Sequence, residues 1–202
     1  MDVSRYQDLE LAPRILLGPG PSMVPARVLQ ALATPPVGYL DPQFLQVMSE
    51  VKELLRYLFK TTNEMTLPIS GTGSAGMETA LCNFIEPGDA VLIAVNGFFG
   101  ERLAEIASRY GAKVDRLERP WGEIFTPAEI DQALQKERYK LLAMVHGETS
   151  TGTVQLQVDQ IAAAAHRHGA LIVLDTVASL GGVPIDVDGW DVDICYSGSQ
   201  KC

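Results

Sequence analysis

Short apolar runs alternate with segments of helical periodicity from residue 65 onward, and this alternation restricts the fold more than any other feature. The helical patterns fall near residues 74–86, 98–111, 126–137 and 158–168. The apolar runs are MTLPIS (65–70), AVLIAV (90–95), AKVDRL (112–117), KLLAMV (140–145), ALIVLD (170–175) and VDICYS (192–197). Runs that lack a polar face predict strands covered by helices on both sides. The alternation therefore predicts an α/β domain with a mainly parallel mixed sheet.

The first 64 residues follow a different pattern. Residues 1–21 show no periodicity, end in the motif GPGPS and predict an irregular N-terminal arm. Amphipathic helices are predicted near residues 24–33 and 42–60, because the prolines of TPPVGYLDP stop one helix and open the next. We therefore divide the chain into an arm (1–21) and one domain (22–202).

Composition excludes several classes of partner. The net charge is −9, from 16 basic and 25 acidic residues, and no Lys/Arg cluster occurs, which argues against nucleic-acid binding. No apolar stretch reaches the length of about 20 residues that a membrane span needs. The odd number of cysteines favours a reducing compartment, and neither the cysteines nor His166 and His168 are spaced as metal ligands.

The stretch SGTGSAG (70–76) follows the first apolar run and contains the pattern GxGxxG. Its glycines permit close approach of a ligand, and the following helix would aim free N–H groups at an anion. A dinucleotide site would also need an acidic residue at the end of the next strand, where this chain has Asn96. The stretch therefore favours a phosphate site, with a purely structural turn as the alternative.

Groups capable of chemistry follow the later runs. The loop HGETSTG (146–152) is typical of a ligand-binding loop or of a polar turn, and the aromatic pair Phe98–Phe99 could stack on a planar ligand or pack in the core. Asp175 ends an aliphatic run, so its carboxylate needs a cation or hydrogen-bond donors. Lys201 lies among small residues, where desolvation would lower the pKa of its amine and make it a nucleophile towards aldehydes; a surface lysine is the alternative.

One ligand accounts for these groups together, namely pyridoxal 5′-phosphate. Its phosphate needs an anion site, its planar ring needs a flat neighbour, and its aldehyde needs a lysine. Its ring nitrogen needs a carboxylate that keeps it protonated, and the pairing of a lysine with such an aspartate is the usual arrangement for this cofactor. Asp175 and Lys201 would supply that pair.

The chain resembles the class V, fold-type I aminotransferases, near the alanine–glyoxylate and serine–glyoxylate (serine–pyruvate) aminotransferases. The resemblance rests on LLGPGPSMVP (16–25), SGTGSAGMETAL (70–81), EPGDAVLIAVNGFFGER (86–102), HGETSTG (146–152), LDTVASLGG (174–182) and YSGSQK (196–201). It implies the N-terminal part of the pyridoxal-phosphate-binding large domain, with helices on both faces of the sheet. The small C-terminal domain of the family would be absent from this chain.

The resemblance also implies roles for residues around the cofactor ring. Lys201 would form the Schiff base and move the substrate proton, and Asp175 would bind the ring nitrogen, so these two residues are predicted to be catalytic. Val177 and Phe99 would contact the two faces of the ring. Thr149 would bind the ring hydroxyl and contact the substrate.

The remaining implied contacts concern the cofactor phosphate and the substrate carboxylate. Thr72, Gly73 and Ser74 would offer N–H and hydroxyl groups to the phosphate. Gln200 would also meet the phosphate, and Gly20 would lie near the substrate carboxylate. No metal ligand is implied.

The function implied by the resemblance is transamination between alanine or serine and glyoxylate or another small 2-oxo acid. A homodimer in the cytoplasm is expected, with a peroxisomal or mitochondrial location left open. Because members of the family are longer, we expect the 202-residue chain alone to be inactive. The alternatives are another class V enzyme such as a cysteine desulfurase, a nicotinamide-dependent dehydrogenase, and an interaction domain without a cofactor.

Overall fold

The computed structural model describes Gln7 and residues 9–202. The other residues of the predicted arm, 1–6 and 8, lie outside the described part of the chain. Residues 9–21 form neither helix nor strand. The division of the chain into an arm and one domain stays a prediction.

From residue 73 onward, the described chain consists of helices and strands that alternate along most of its length. The helices are α1 (Ala26–Leu32), α2 (Pro42–Phe59), α3 (Gly73–Cys82), α4 (Phe98–Arg109), α5 (Pro127–Leu134) and α6 (Val158–Arg167). The strands are β1 (Ala90–Val95), β2 (Lys113–Glu118), β3 (Leu141–Val145), β4 (Gly147–Glu148), β5 (Thr153–Val154), β6 (Leu171–Asp175) and β7 (Ile194–Tyr196). All six predicted helices are confirmed, with ends that differ by a few residues.

The main sheet has five strands in the order β2-β1-β3-β6-β7. All of its neighbouring strands run parallel, and β4 and β5 form a separate antiparallel pair. The α/β class and the mainly parallel sheet are thus confirmed. Parallel strands bring their carboxyl ends to one edge, where ligands bind in this kind of sheet.

The prediction of a first strand at residues 65–70 is wrong. This segment joins neither sheet, and the apolar side chains of Met65, Leu67 and Ile69 remain exposed. The N–H group of Met65 bonds to the side chain of Asn63 at 2.8 Å, so a local turn uses a donor that a strand would give to a neighbour. An apolar run becomes a strand only where a second backbone pairs with it.

The hydrophobic core lies on both faces of the sheet, as predicted. Successive residues of a strand point to opposite faces. On β3, Leu142 and Met144 pack with the cluster that includes α5 and α6. Leu141, Ala143 and Val145 pack with the cluster that includes α3 and α4. The sheet is therefore buried between two helical layers.

The N-terminal helices α1 and α2 contain no buried residue. The start of α2 follows from its sequence, because the Asp41 side chain accepts a hydrogen bond from Gln43 N at 2.8 Å and Pro42 occupies the first turn. It ends where Lys60 adopts a left-handed conformation with φ of 51°. Among the described residues, no helix has the length and hydropathy needed to cross a membrane.

Candidate functional site

The carboxyl ends of the central strands meet at one edge of the sheet. Backbone hydrogen bonds continue past the strands, from His146 N to Asp175 O at 2.8 Å and from Thr176 N to Tyr196 O at 2.9 Å. The loops that follow β3, β6 and β7 are therefore held side by side. The loops after β3 and β7 carry the predicted residues Thr149 and Lys201, and Asp175 is the last residue of β6.

Asp175 is a buried carboxylate, only 2% exposed, as the sequence predicts. Its Oδ1 atom accepts a hydrogen bond from Val177 N and its Oδ2 atom accepts one from the Tyr196 hydroxyl, both at 2.8 Å. Burial raises the pKa of Asp175 to about 6, against the lowering effect of these two hydrogen bonds. Within the described chain it forms no ion pair. Its charge can therefore stabilise a cationic group of a ligand.

Lys201 lies against the N-terminal segment GPGPS. Its Nζ atom donates a hydrogen bond to Pro19 O at 3.0 Å, and Ser22 N donates one to Gln200 O at 2.8 Å. A side chain at Gly20 would place its Cβ atom 2.7 Å from the Lys201 Nζ atom. Gly20 also has φ of +141°, a conformation that other residues rarely adopt. Only glycine fits here, so the segment can approach the lysine.

The N-terminus of α3 faces the loops after β6 and β7. A Cβ atom at Gly73 would lie 2.9 Å from the Val177 Cγ2 atom, and one at Gly198 would lie 3.4 Å from the Gly73 Cα atom. Thr72 precedes the helix without a side-chain cap. The N–H groups of Gly73 and Ser74, in the first turn, have no intrahelical acceptor. This arrangement can hold one phosphate.

The third glycine of GxGxxG has a packing function. A Cβ atom at Gly76 would lie 3.5 Å from the Tyr196 Cδ2 atom, so the glycine lets α3 approach β7. At the end of β1, the Asn96 side chain donates a hydrogen bond to Glu123 O at 2.8 Å. The strand therefore ends in an amide that is already engaged, where a dinucleotide site would place a carboxylate for the ribose.

The aromatic pair at the start of α4 divides into an exposed and a half-buried ring. Phe98 is 47% exposed, and its ring meets the half-buried Phe99 ring edge to face at 5.4 Å. The Arg102 guanidinium lies 5.0 Å and 5.6 Å from the two ring centroids and donates a hydrogen bond to Ser74 Oγ at 2.9 Å. The cation thus joins the aromatic pair to the first turn of α3. Sequence reasoning missed this role, although a spacing of three and four residues within one helix could have indicated it.

Glu148 is a second functional candidate that sequence reasoning missed. It is 1% exposed, and its Oε2 atom accepts hydrogen bonds from Phe99 N at 3.0 Å and Gly100 N at 3.3 Å. Its Oε1 atom accepts hydrogen bonds from the N–H group and the hydroxyl of Ser150. Thr149 lies between these two anchored residues. The signal in the sequence was an acid three residues after a fully buried strand.

The predicted site residues are thus distributed over one edge of the sheet. The structure brings Gly73 and Val177 into contact and places Gly20 against Lys201. Gln200 is fixed through its backbone by Ser22, and its side chain is exposed. The roles assigned to these residues stay predictions.

Comparison with known proteins shows the family of the chain. The family described as aminotransferase class-V matches residues 15–202. The chain belongs to the class-V aminotransferase family. The resemblance found in the sequence is therefore confirmed at the level of the family, and so is the α/β fold with its mainly parallel sheet.

Two curated relatives and one solved structure show the extent of the similarity. The chain is 46% identical to the alanine–glyoxylate aminotransferase of Mus musculus, over 96% of this chain and 46% of that protein. It is 46% identical to the (S)-ureidoglycine–glyoxylate transaminase of Bacillus subtilis (strain 168), over 94% of this chain and 45% of that protein. The crystal structure of an alanine–glyoxylate aminotransferase from Nostoc sp. is 49% identical with a TM-score of 0.95, over 97% of this chain and 52% of that chain. The chain therefore spans about half the length of the relatives it matches.

Proposed function

We propose that the whole protein is a pyridoxal-phosphate-dependent aminotransferase that uses glyoxylate or another small 2-oxo acid as acceptor and alanine or serine as donor. The observation that carries the proposal is the buried Asp175, which has a raised pKa and lies at the same edge of the sheet as Lys201 and the N-terminus of α3. Membership of the class-V family supports it. A homodimer and a cytoplasmic location belong to the same proposal.

The residues present fit pyridoxal phosphate. The first turn of α3 has no side-chain cap and offers the N–H groups of Gly73 and Ser74, which suits a phosphate. Asp175 is an anion whose burial is only partly compensated, and a protonated ring nitrogen is a cation of the required kind. Both features would be unfavourable in a domain that binds nothing at this edge.

The chemistry divides between the cofactor and the chain. Pyridoxal phosphate, when bound, supplies an aldehyde that condenses with amines and a ring that accepts electrons. Asp175 would hold the proton on the ring nitrogen through its Oδ atoms. Lys201 would accept and return the substrate α-proton at its Nζ atom, a transfer that contributes about 10²- to 10⁴-fold to such reactions. Phe99 and Val177 would fix the orientation of the ring and exclude water from its faces.

Glyoxylate is proposed as the acceptor because the names of two relatives share it. The two curated relatives are named for different donors, alanine and ureidoglycine, but for the same acceptor. Both are 46% identical to this chain, so the overall identity does not favour one donor. Alanine and serine are proposed because the motifs resemble the alanine–glyoxylate and serine–glyoxylate enzymes.

Absorbance and steady-state kinetics test the proposal on the whole protein. Added pyridoxal phosphate should give a new absorption band near the visible edge that the Lys201→Ala variant lacks and that a Lys113→Ala variant, altered at an exposed position, retains. Alanine, serine and ureidoglycine are then compared as donors at a fixed glyoxylate concentration. A whole protein that stays colourless with the cofactor would contradict the proposed function. Turnover with ureidoglycine but with neither alanine nor serine would show that the proposed donors are wrong and that the proposed cofactor is right.

A further inference from the structure

Helix α4 begins without a cap of its own. Its N-cap residue is Gly97, which has no side chain to bind the free N–H groups of the first turn. The cap comes instead from another part of the chain, because Glu148 accepts hydrogen bonds from Phe99 N at 3.0 Å and from Gly100 N at 3.3 Å. Ser150 completes it by accepting a hydrogen bond from Phe98 N at 2.9 Å.

The approach of Glu148 depends on the glycine that precedes the helix. A Cβ atom at Gly97 would lie 2.5 Å from the Glu148 Cδ atom and 2.6 Å from the Ser150 Oγ atom. The Ser150 hydroxyl in turn donates a hydrogen bond to Glu148 Oε1 at 2.6 Å. The carboxylate is therefore held on both oxygen atoms by groups that stabilise its negative charge, including the positive end of a helix dipole.

The same carboxylate fixes two segments that carry proposed cofactor contacts. Phe99 is attached to it directly through its backbone N–H group. Thr149 lies between Glu148 and Ser150, which both bond to the first turn of α4. A shift of Glu148 or Ser150 would therefore move the Phe99 ring and the Thr149 hydroxyl together.

We propose that Glu148 is a positioning residue that fixes Phe99 and Thr149 against the cofactor ring. This inference rests on the proposed function, since it concerns how the same site is held in place. A short polar residue at the N-cap position of α4 could have capped the helix without burying a charge. The positioning role explains why the chain instead uses Glu148, a carboxylate that is 1% exposed. The charge of Glu148 acts on the site as well, because it helps to raise the pKa of Asp175.

Substitution of Glu148 in the whole protein, with a matched control, tests the inference. Glu148→Ala removes both acceptors, whereas Glu148→Gln keeps one oxygen for the Phe99 N–H group. Glu129 is the control, because it caps α5 by accepting a hydrogen bond from Thr126 N at 2.9 Å and lies outside the site. Three quantities are measured for each variant, namely the dissociation constant for pyridoxal phosphate, the circular dichroism of the bound cofactor and the midpoint of thermal unfolding.

A positioning role predicts a specific pattern. Glu148→Ala should weaken cofactor binding by about 10- to 100-fold and reduce the circular dichroism of the bound ring, and Glu148→Gln should restore most of both. Glu129→Ala should lower the unfolding midpoint and leave both cofactor measurements unchanged. Ser150→Ala, which removes one hydroxyl from the same anchor, should weaken binding by a smaller factor and serves where Glu148→Ala fails to fold.

Two outcomes would overturn the inference, and they can be told apart. If the wild-type protein binds the cofactor and the Glu148 and Ser150 variants lose only thermal stability, as Glu129→Ala does, Glu148 is a structural cap and the proposed function stands. If the wild-type protein does not bind pyridoxal phosphate, the proposed function fails and the inference fails with it.

Discussion

The carboxyl edge of the sheet and the N-terminal region (residues 9–64) use polar and apolar side chains in opposite ways. At the edge, His146, Glu148 and Asp175 are each no more than 3% exposed. In the N-terminal region, Leu54 is 67% exposed and Tyr57 is 83% exposed, and neither α1 nor α2 contains a buried residue. Burial of apolar surface therefore stabilises the sheet and holds charged groups in place, while the exposed side chains of α2, Leu54 and Tyr57 among them, contribute little to the stability of this chain.

The N-terminal region nevertheless contacts the rest of the chain at defined points. Val187 N donates a hydrogen bond to Phe59 O at 3.0 Å, and Thr62 N donates one to Asp188 Oδ2 at 2.8 Å. The segment GPGPS is joined to Gln200 and Lys201. The region thus contributes to the site through one glycine-containing loop, although its helices contain no buried residue.

The largest expected effect on stability comes from the buried sheet. Leu142→Ala, in the centre of β3, should lower the free energy of unfolding by about 2–5 kcal/mol, because the leucine is fully buried and the cavity would collapse only in part. Chemical denaturation of the 202-residue chain measures this value. A loss below about 1 kcal/mol would contradict the assignment of β3 to the packed centre of the sheet.

The second effect concerns the charge of Asp175, whose removal should raise the free energy of unfolding. The pKa of Asp175 rises on folding to about 6, so the stabilising contribution of its protonated form is present below pH of about 4 and is lost as the pH rises through about 6. Asp175→Asn should therefore stabilise the cofactor-free chain by about 1–3 kcal/mol above pH 6 and by little below pH 4. Denaturation at pH 4 and pH 8 measures the difference, and a variant less stable than wild type at pH 8 would refute the account of this group.

The same substitution should weaken cofactor binding, because the asparagine carries no charge for the protonated ring nitrogen. Stability and function would then be opposed at Asp175, as is common for residues held at active sites.

The smallest effect is expected in the N-terminal region. Leu54→Ala should change the free energy of unfolding of the 202-residue chain by less than about 0.5 kcal/mol, since the side chain is 67% exposed. The same measurement is then made on the whole protein that carries Leu54→Ala. A loss of about 2–5 kcal/mol there would show that this face of α2 is covered in the complete molecule.

Local sequence patterns were sufficient for the elements that form the centre of the fold. The run AVLIAV coincides with β1 at residues 90–95, because a strand buried on both faces leaves a continuous apolar pattern. Asp175 became a candidate because it ends such a run, and Lys201 became one because it lies four residues after the run VDICYS. They lie at the same edge of the sheet because parallel strands bring their carboxyl ends to one edge.

Contacts between distant segments could not be predicted in this way. The bond from Phe99 N to Glu148 joins residues 49 positions apart, and the bond from Arg102 to Ser74 joins residues 28 positions apart. Both depend on which strands are neighbours in the sheet, which no local pattern records. The wrong prediction of a strand at residues 65–70 has the same cause, because an apolar run gives no information about the strand with which it would pair.

The lysine to which the cofactor attaches decides whether the carboxyl edge of the sheet is the active site. The whole protein is incubated with pyridoxal phosphate, reduced with borohydride, digested and examined by mass spectrometry. The account predicts a cofactor-sized mass increase on the peptide that contains Lys201, no increase in Lys201→Ala, and a wild-type result in Lys113→Ala. Attachment at a different lysine, or none in the wild-type protein, would contradict it.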